Sequence, residues 1–181
     1  MATTHLALLR GINVGGNNVI PMRDLKACFE AMGFADVTTY IQSGNVLFTA
    51  NGDTASLETT IEAALAKRFN YGATVVVLTA KELKRVVTEA PPGFGSDPAA
   101  ERYDVLFVKR PLTTAEAFEQ IPRKEGVDHA SMGTHALYFS RLISKATQSK
   151  LVRITAMPLY KLLTIRNWNT TKTLEGMMHG E

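Results

Sequence analysis

The chain has 181 residues, 45% of them hydrophobic and 20% charged, which is enough apolar material for one domain or two small ones. The net charge of +3 is spread along the chain, so it allows an anionic ligand but lacks the basic stripe of a dedicated nucleic-acid binder. The longest apolar runs fall far short of the roughly 20 residues of a membrane span, and a secretory signal pattern is absent. With Cys28 as the single cysteine, we expect a cytoplasmic protein without membrane association.

The first half of the chain alternates strand and helix patterns. An apolar run at 5–10 predicts a strand, and apolar residues at helical spacing over 21–32 predict a helix. The β-branched and aromatic runs at 37–41 and 46–49 predict a hairpin. A second helix with an apolar residue at every fourth position then leads to a buried strand at 74–78. This βαββαβ order is that of the ferredoxin-like fold.

The second half of the chain repeats this order after a break. Three prolines and two glycines within 90–98 exclude a continuous helix or a central strand there. Beyond it, the patterns predict a strand at 103–109, a helix from the capping box at 113–116, strands near 127 and at 136–139, a helix around 149–156, a strand at 161–166 and a last helix from 169. We therefore predict an α+β protein of two tandem ferredoxin-like units: 1–90, a connection at 91–102, and 103–181 with the terminal helix.

Two polar, glycine-bearing segments, 10–18 and 40–45, stand out between the apolar runs of the first half. Hydrogen-bonding groups in such positions are costly unless something uses them. The first and second strands of a βαβ crossover run parallel, so both segments should leave the sheet at the same edge. The candidate ligand-binding residues in these two segments are Arg10, Asn13, Gly15, Gly16, Tyr40, Gln42, Ser43 and Asn45.

The glycine spacing of the first segment does not identify a nucleotide fold. Gly11 and Gly16 are spaced as in a Walker A loop, but Asn17 and Asn18 occupy the places of its Lys and Ser or Thr. Backbone N–H groups and Arg10 could still hold an anion. Alternatively, the glycines only supply turn geometry and Arg10 pairs with a nearby carboxylate.

A third polar segment, 164–170, lies where the last strand passes into the last helix. Its candidate ligand-binding residues are Arg166, Asn167, Trp168 and Asn169, because a helix N-terminus attracts anions. The alternative is that Asn169 caps the helix and Trp168 is a core aromatic residue.

Catalytic machinery is not evident in this sequence. The histidines follow no metal-binding spacing, and Ser43 lacks the flanking glycines of a nucleophile elbow. Catalytic residues and cofactors therefore stay unidentified, no metal site is expected, and enzymatic activity is an open question.

Three strings, 8–16 (LLRGINVGG), 40–46 (YIQSGNV) and 164–170 (TIRNWNT), resemble in order those of an uncharacterised, largely bacterial family catalogued as domain of unknown function 1697. The resemblance extends over nearly the whole chain. It implies a ferredoxin-like α+β fold, and it implies no particular activity or ligand.

Three functions are compatible with these patterns. The favoured one is a site for a small anionic metabolite or nucleotide, formed by the 10–18 loop and the 42–45 turn. The second is RNA or DNA binding, since RNA-recognition modules share the βαββαβ order, although the strand at 5–10 lacks their stacking aromatic residues. The third is a module that oligomerises through a sheet edge or helix face. The sequence does not determine the oligomeric state.

Overall fold

The structure, a computed structural model, describes residues 2–13, 16 and 18–180. The chain forms two compact units. Unit 1 comprises Met1–Leu83 with Leu174–Glu181, and unit 2 comprises Lys84–Thr173. These bounds differ from the expected boundary between domains at 91–102. That domain boundary stays a prediction.

Unit 1 contains a four-stranded antiparallel sheet and two helices in the order βαββαβ. The sheet order is β2-β3-β1-β4. The elements are β1 (Thr3–Leu9), α1 (Met22–Ala31), β2 (Ala35–Tyr40), β3 (Asn45–Ala50), α2 (Thr54–Phe69) and β4 (Val75–Thr79), and α3 (Ala80–Thr88) follows directly.

Local chemistry explains where α2 begins and ends. The carboxylate of Asp53 accepts a hydrogen bond from the backbone N–H of Ser56, which satisfies one of the free donors of the first turn. Asn70 takes a left-handed conformation, a common way to end a helix. Between these caps, Leu57, Ile61 and Leu65 recur every four residues and are buried against the sheet.

The outer edges of the unit 1 sheet are protected. Strand β4 is an edge strand, and its N–H groups at Val75 and Val77 donate to the carboxylates of Glu62 and Glu58 at 2.8 and 2.9 Å. At the opposite edge, the register of β2 shifts between Ala35 and Thr38. Carboxylates bound to edge N–H groups and irregular edge strands both hinder pairing with another chain.

Unit 2 contains a second four-stranded antiparallel sheet, in the order β6-β7-β5-β8. Its strands are β5 (Glu101–Val108), β6 (Asp128–Met132), β7 (Ala136–Leu142) and β8 (Leu163–Asn167). Helix α4 (Thr114–Gln120) begins at a capping box formed by Thr113 and Glu116. Helix α5 (Trp168–His179) follows β8 without a loop.

The helix predicted around 149–156 is wrong. Residues between β7 and β8 form three 3-10 helices instead, Ile143–Gln148, Leu151–Ala156 and Pro158–Leu162. Leu151 and Ile154 are the buried residues of the middle one, and a spacing of three places two side chains on one face of a 3-10 helix as well as of an α-helix. Pro158 has no N–H to donate and also prevents the turn before it from continuing as an α-helix.

Candidate functional site

The described parts of the two polar segments of the first half meet at one edge of the unit 1 sheet, here called the loop edge (10–13, 16, 18 and 41–45). Asn45 pairs with Leu8 at the end of β1, and the N–H of Leu9 donates to the carbonyl of Gly44 at 2.8 Å. The Asn13 amide crosses between the segments, with Nδ2 at 2.9 Å from the carbonyl oxygen of Gln42. Residues about thirty positions apart in sequence are therefore neighbours.

The asparagine side chains of the loop edge hold its backbone in shape. The Asn13 amide also donates to the carbonyl of Ile20 and accepts from the N–H of Ile20, at 3.0 and 2.8 Å. Asn18 closes the same loop by donating to the carbonyl of Gly11 at 3.0 Å. These amides are directed inward, so their part in a ligand site would be to position other groups.

Asn45 serves the turn between β2 and β3 in the same way. It is fully buried, and its Nδ2 donates to the carbonyl of Tyr40 at 2.9 Å and to Ser43 Oγ at 3.0 Å. Gly44 beside it has a φ of +79°, and a β-carbon there would lie 2.8 Å from both Leu9 Cβ and Ile12 Cδ1. The turn is thus packed tightly onto the start of the 10–18 loop.

Left-handed backbone conformations are concentrated at the loop edge. Besides Gly44, they occur at Gly11, Asn13, Gly16, Asn18 and Ile41. Ile41 is the unusual member, because a β-branched residue at a φ of +46° is strained and its side chain is half exposed. Strain of this kind is retained where the surrounding structure enforces it, often at ligand sites.

The remaining predicted residues of this edge lie around the same loop. Arg10 is half-buried at the exit of β1, with its N–H bonded to the carbonyl of Thr74, while Tyr40 is half-buried and Gln42 and Gly16 are exposed. Gly15 lies outside the described residues.

The N-terminus of α1 follows the 10–18 loop in the chain. Its N-cap residue, Pro21, offers no side-chain hydrogen bond to the first turn of the helix. The N–H of Asp24 in that turn is bonded to the carbonyl of Pro21, so the donors left for a ligand are the N–H groups of Met22 and Arg23.

The predicted residues of the third polar segment belong to unit 2, where most have structural partners. Arg166 is buried, and its Nη1 donates to Thr164 Oγ1 and to the carbonyl of Ile165. The carboxamide oxygen of Asn167 accepts from the N–H of Thr170 at 2.7 Å and so caps α5. Trp168 is buried with its ring 5.2 Å from that of Phe94.

Asn167, Trp168 and Asn169 also line a cleft of about 280 Å³ within unit 2. Arg102 and Asp104 line it as well, and sequence reasoning missed both because they lie in an apparently ordinary strand. Burial raises the pKa of the Asp104 carboxyl, while the Arg141 guanidinium 3.7 Å away acts in the opposite direction. This cleft combines opposite charges and selects neither anions nor cations by charge alone.

No group of three or more His, Cys, Asp or Glu side chains within residues 2–13, 16 and 18–180 is arranged to hold a metal ion. In the same part of the chain, every helix is too short or too polar to cross a membrane.

Comparison with known proteins identifies the family. The model of the family described as "Protein of unknown function (DUF1697)" matches residues 2–138, and the chain belongs to that family. The matched range includes the strings at 8–16 and 40–46, whereas the string at 164–170 lies beyond it. No curated protein matches the chain significantly.

A solved structure supports the fold of the whole chain. It is described as that of "conserved bacterial protein SP0830 from Streptococcus pneumoniae", and it is similar with a TM-score of 0.85 at 24% sequence identity. The match covers 98% of this chain and 99% of that one. At this identity the likeness establishes an α+β fold and carries no functional information.

Proposed function

We propose that this protein binds a small anionic metabolite or nucleotide at the loop edge of unit 1. The observation that carries the proposal is the junction itself, in which the Asn13 amide ties the 10–18 loop to the carbonyl of Gln42. Four further residues with left-handed backbone, Gly11, Gly16, Asn18 and Ile41, lie in the same two segments. Left-handed residues beside ordinary ones can form concave sets of backbone N–H groups that hold an anion.

Two further groups favour an anion over a neutral ligand. Arg10 is the cation at the exit of β1, and its planar guanidinium suits a carboxylate or phosphate. The first turn of α1 follows the loop and lacks a side-chain cap, so its N–H groups and the helix dipole add partial positive charge, although the Asp24 carboxylate in the same turn acts against it. In this proposal Arg10, Gln42 and the loop N–H groups contact the ligand, and Asn13 and Asn45 position them.

We also propose that both units are ferredoxin-like and that the protein works in the reducing cytoplasm. Both sheets have the antiparallel strand order expected of a βαββαβ fold, β2-β3-β1-β4 and β6-β7-β5-β8. The 3-10 helices of unit 2 replace the second helix of that order. The buried thiol of Cys28 is compatible with a reducing compartment.

The two alternative functions find less support. RNA-recognition modules bind RNA on an open sheet face, but residues 6–9 of β1 and 75–78 of β4 are buried on both faces. Oligomerisation by strand addition in unit 1 would require open edges, whereas Glu58 and Glu62 occupy the N–H groups of β4.

The proposal is tested by a binding screen on the full chain. Inorganic phosphate, nucleotides and phosphorylated sugars are compared with their uncharged parent compounds by thermal shift, followed by calorimetric titration of any hit. A ligand present at 100 times its Kd adds about 2.7 kcal/mol of stability. We expect a phosphorylated compound to bind and Arg10→Ala to weaken that binding about tenfold or more, since a hydrogen bond to a charged group contributes about 1.5–3 kcal/mol.

Arg153→Ala is the matched control, because Arg153 is an exposed arginine in unit 2. It should leave the affinity unchanged and so separate a local contact from an effect of net charge. Equal weakening by both variants, or failure of every anion to bind, would reject the loop edge as an anion site.

A further inference from the structure

A second cleft of unit 2, about 320 Å³ in volume, lies over one face of its sheet. The cleft is bounded by the sheet on one side and by the segment 91–97 on the other. Two tight turns fix that segment, with Phe94 N–H bonded to the carbonyl of Pro91 and Ser96 N–H to that of Gly93. The cleft is therefore built from ordered backbone on both sides. None of the residues in the predicted site lines it.

Strand register places the polar groups of the floor in a row. Tyr103 of β5 is paired with Ser140 of β7, and Ser140 is paired in turn with His129 of β6. Directly paired residues of neighbouring antiparallel strands have their β-carbons about 5 Å apart on the same face. A hydroxyl therefore lies between an aromatic ring and an imidazole on this face.

Aromatic rings form the wall of the cleft. The ring of Phe94 packs edge-on against Tyr103 and Tyr138, with centroids 5.0 and 5.5 Å apart. The hydroxyl of Tyr138 donates to the carbonyl of Val86 at 2.6 Å, which fixes that ring. Burial raises the pKa of Tyr138, so it stays a neutral phenol.

The charge of this cleft is negative. Asp97 and Glu101 line it, and no lysine or arginine does so in the part of the chain that the structure describes. Asp97 is held in place, since its Oδ1 accepts from the N–H of Ala100 and its own N–H donates to the Tyr103 hydroxyl.

Ser140 is a polar residue of the cleft floor. It is only 6% exposed, and its hydroxyl has no hydrogen-bond partner among the described residues. This hydroxyl borders the cleft, so a ligand or water in the cleft can satisfy it.

We propose that this second cleft binds a small organic ammonium ion. The ammonium group donates to the Ser140 hydroxyl and to the carboxylates of Asp97 and Glu101, and its alkyl chain packs on the rings of Phe94 and Tyr103. Aromatic rings provide apolar surface for the alkyl chain, and carboxylates supply the acceptors that an ammonium group needs. An anion would meet two carboxylates here and is excluded. This site is separate from the loop edge and does not depend on the function proposed for it.

The intrinsic fluorescence of the full chain provides a direct readout. Trp168 is the single tryptophan, and its ring contacts that of Phe94. The probes are n-butylammonium, its neutral analogue n-butanol and its anionic counterpart butyrate. We expect a saturable change in emission with n-butylammonium and no response to butyrate at the same ionic strength. The affinity for n-butanol should be lower than that for n-butylammonium by about tenfold or more.

Two variants locate the binding. Glu101→Gln keeps the size of the side chain and removes its charge, and Ser140→Ala removes the buried hydroxyl; each should weaken n-butylammonium binding about tenfold. Glu119→Gln is the control, because Glu119 is an exposed glutamate on α4 outside the cleft, and it should bind like the parent. Thermal midpoints check that all variants are folded. Equal affinity for the alcohol and the amine, no saturation with the amine, or unchanged affinity in both cleft variants would overturn the proposal.

Discussion

The two units share a strand arrangement and differ in how the chain returns to the last strand. In both, the first strand of the unit lies between the third and the fourth, and all neighbours are antiparallel. Unit 1 makes the second crossover with the 16 residues of α2, while unit 2 makes it with three 3-10 helices. The sheet arrangement therefore does not require a particular kind of crossover.

The two crossovers also differ in which backbone N–H groups their side-chain carboxylates bind. In unit 1, Glu58 and Glu62 extend from α2 to the edge N–H groups of β4. In unit 2, the buried Asp128 carboxylate accepts from the N–H groups of Lys124 and Lys150 and so holds the irregular crossover at the junction of its first two 3-10 helices. In the first case the carboxylates protect a strand, and in the second a carboxylate shapes a loop. Both satisfy backbone donors that would be costly to leave unpaired.

The largest effect should come from the turn between the second and third strands of unit 1, and the corresponding turn of unit 2 provides the comparison. Gly44→Ala should lower the free energy of unfolding by about 3 kcal/mol, because the new methyl group meets Leu9 Cβ at 2.8 Å and the backbone stays left-handed. Gly133→Ala should cost about 1 kcal/mol, because a β-carbon there meets the Tyr138 ring but no left-handed backbone is required. Urea denaturation of both variants measures the difference. Equal losses would show that the two turns are equally constrained.

The next effect concerns the protected edge of unit 1. Glu58→Ala should destabilise the protein by about 2 kcal/mol, because it leaves the buried N–H of Val77 without its carboxylate acceptor. Glu58→Gln keeps an acceptor and should cost less than half as much. Amide hydrogen exchange at Val77 should become faster in the alanine variant. An unchanged exchange rate would mean that this bond contributes nothing to the edge.

The strands could be predicted from the sequence, whereas the irregular structure of the unit 2 crossover could not, and both outcomes have a physical reason. Runs such as 75–78 and 105–108 are apolar throughout because both faces of these strands are buried. Between β7 and β8, the buried residues Leu151, Ile154 and Leu159 follow a mixed spacing that a helical interpretation can accommodate. Nothing in the sequence indicates that the Asp128 side chain bonds the N–H of Lys150, 22 positions away. Long-range side-chain contacts of this kind decide the local structure.

The same limit applies to the candidate sites. Strand direction alone predicts that the 10–18 and 42–45 segments approach each other, but it does not predict the direction of the amides of Asn13 and Asn45. Their ligand-binding role stays a prediction. The second cleft was missed for a different reason. Tyr103, His129 and Ser140 form a row only through the register of three strands, and separately they match no motif.

A smaller effect is expected from the contact between Glu89 and Thr134 in the turn between β6 and β7, and its contribution to stability should depend on pH. The backbone N–H of Thr134, together with the Thr134 hydroxyl and Arg85, lowers the pKa of Glu89 from 4.5 to about 2. Since the folded pKa is the lower one, this contact stabilises the protein fully above pH 4.5, and the stabilisation is lost as pH falls toward 2. Glu89→Gln should cost about 1 kcal/mol at neutral pH, because solvent screens this partly exposed pair, and nothing at the acid limit. A pH-independent loss would assign the effect to packing.

The smallest change in stability is expected at Arg10, and its size distinguishes the two interpretations of the loop edge. If Arg10 serves the ligand, Arg10→Ala should lower the free energy of unfolding by no more than about 0.5 kcal/mol, because the backbone bond from its N–H to Thr74 does not need the side chain. If Arg10 instead pairs with a buried carboxylate, removing it leaves that charge uncompensated and should cost about 3–5 kcal/mol. Chemical denaturation of the variant beside the parent measures this directly. A large fall in the midpoint at unchanged slope would make Arg10 a structural residue and remove the main cation from the proposed anion site, whereas a small fall is the outcome expected if its guanidinium serves the ligand.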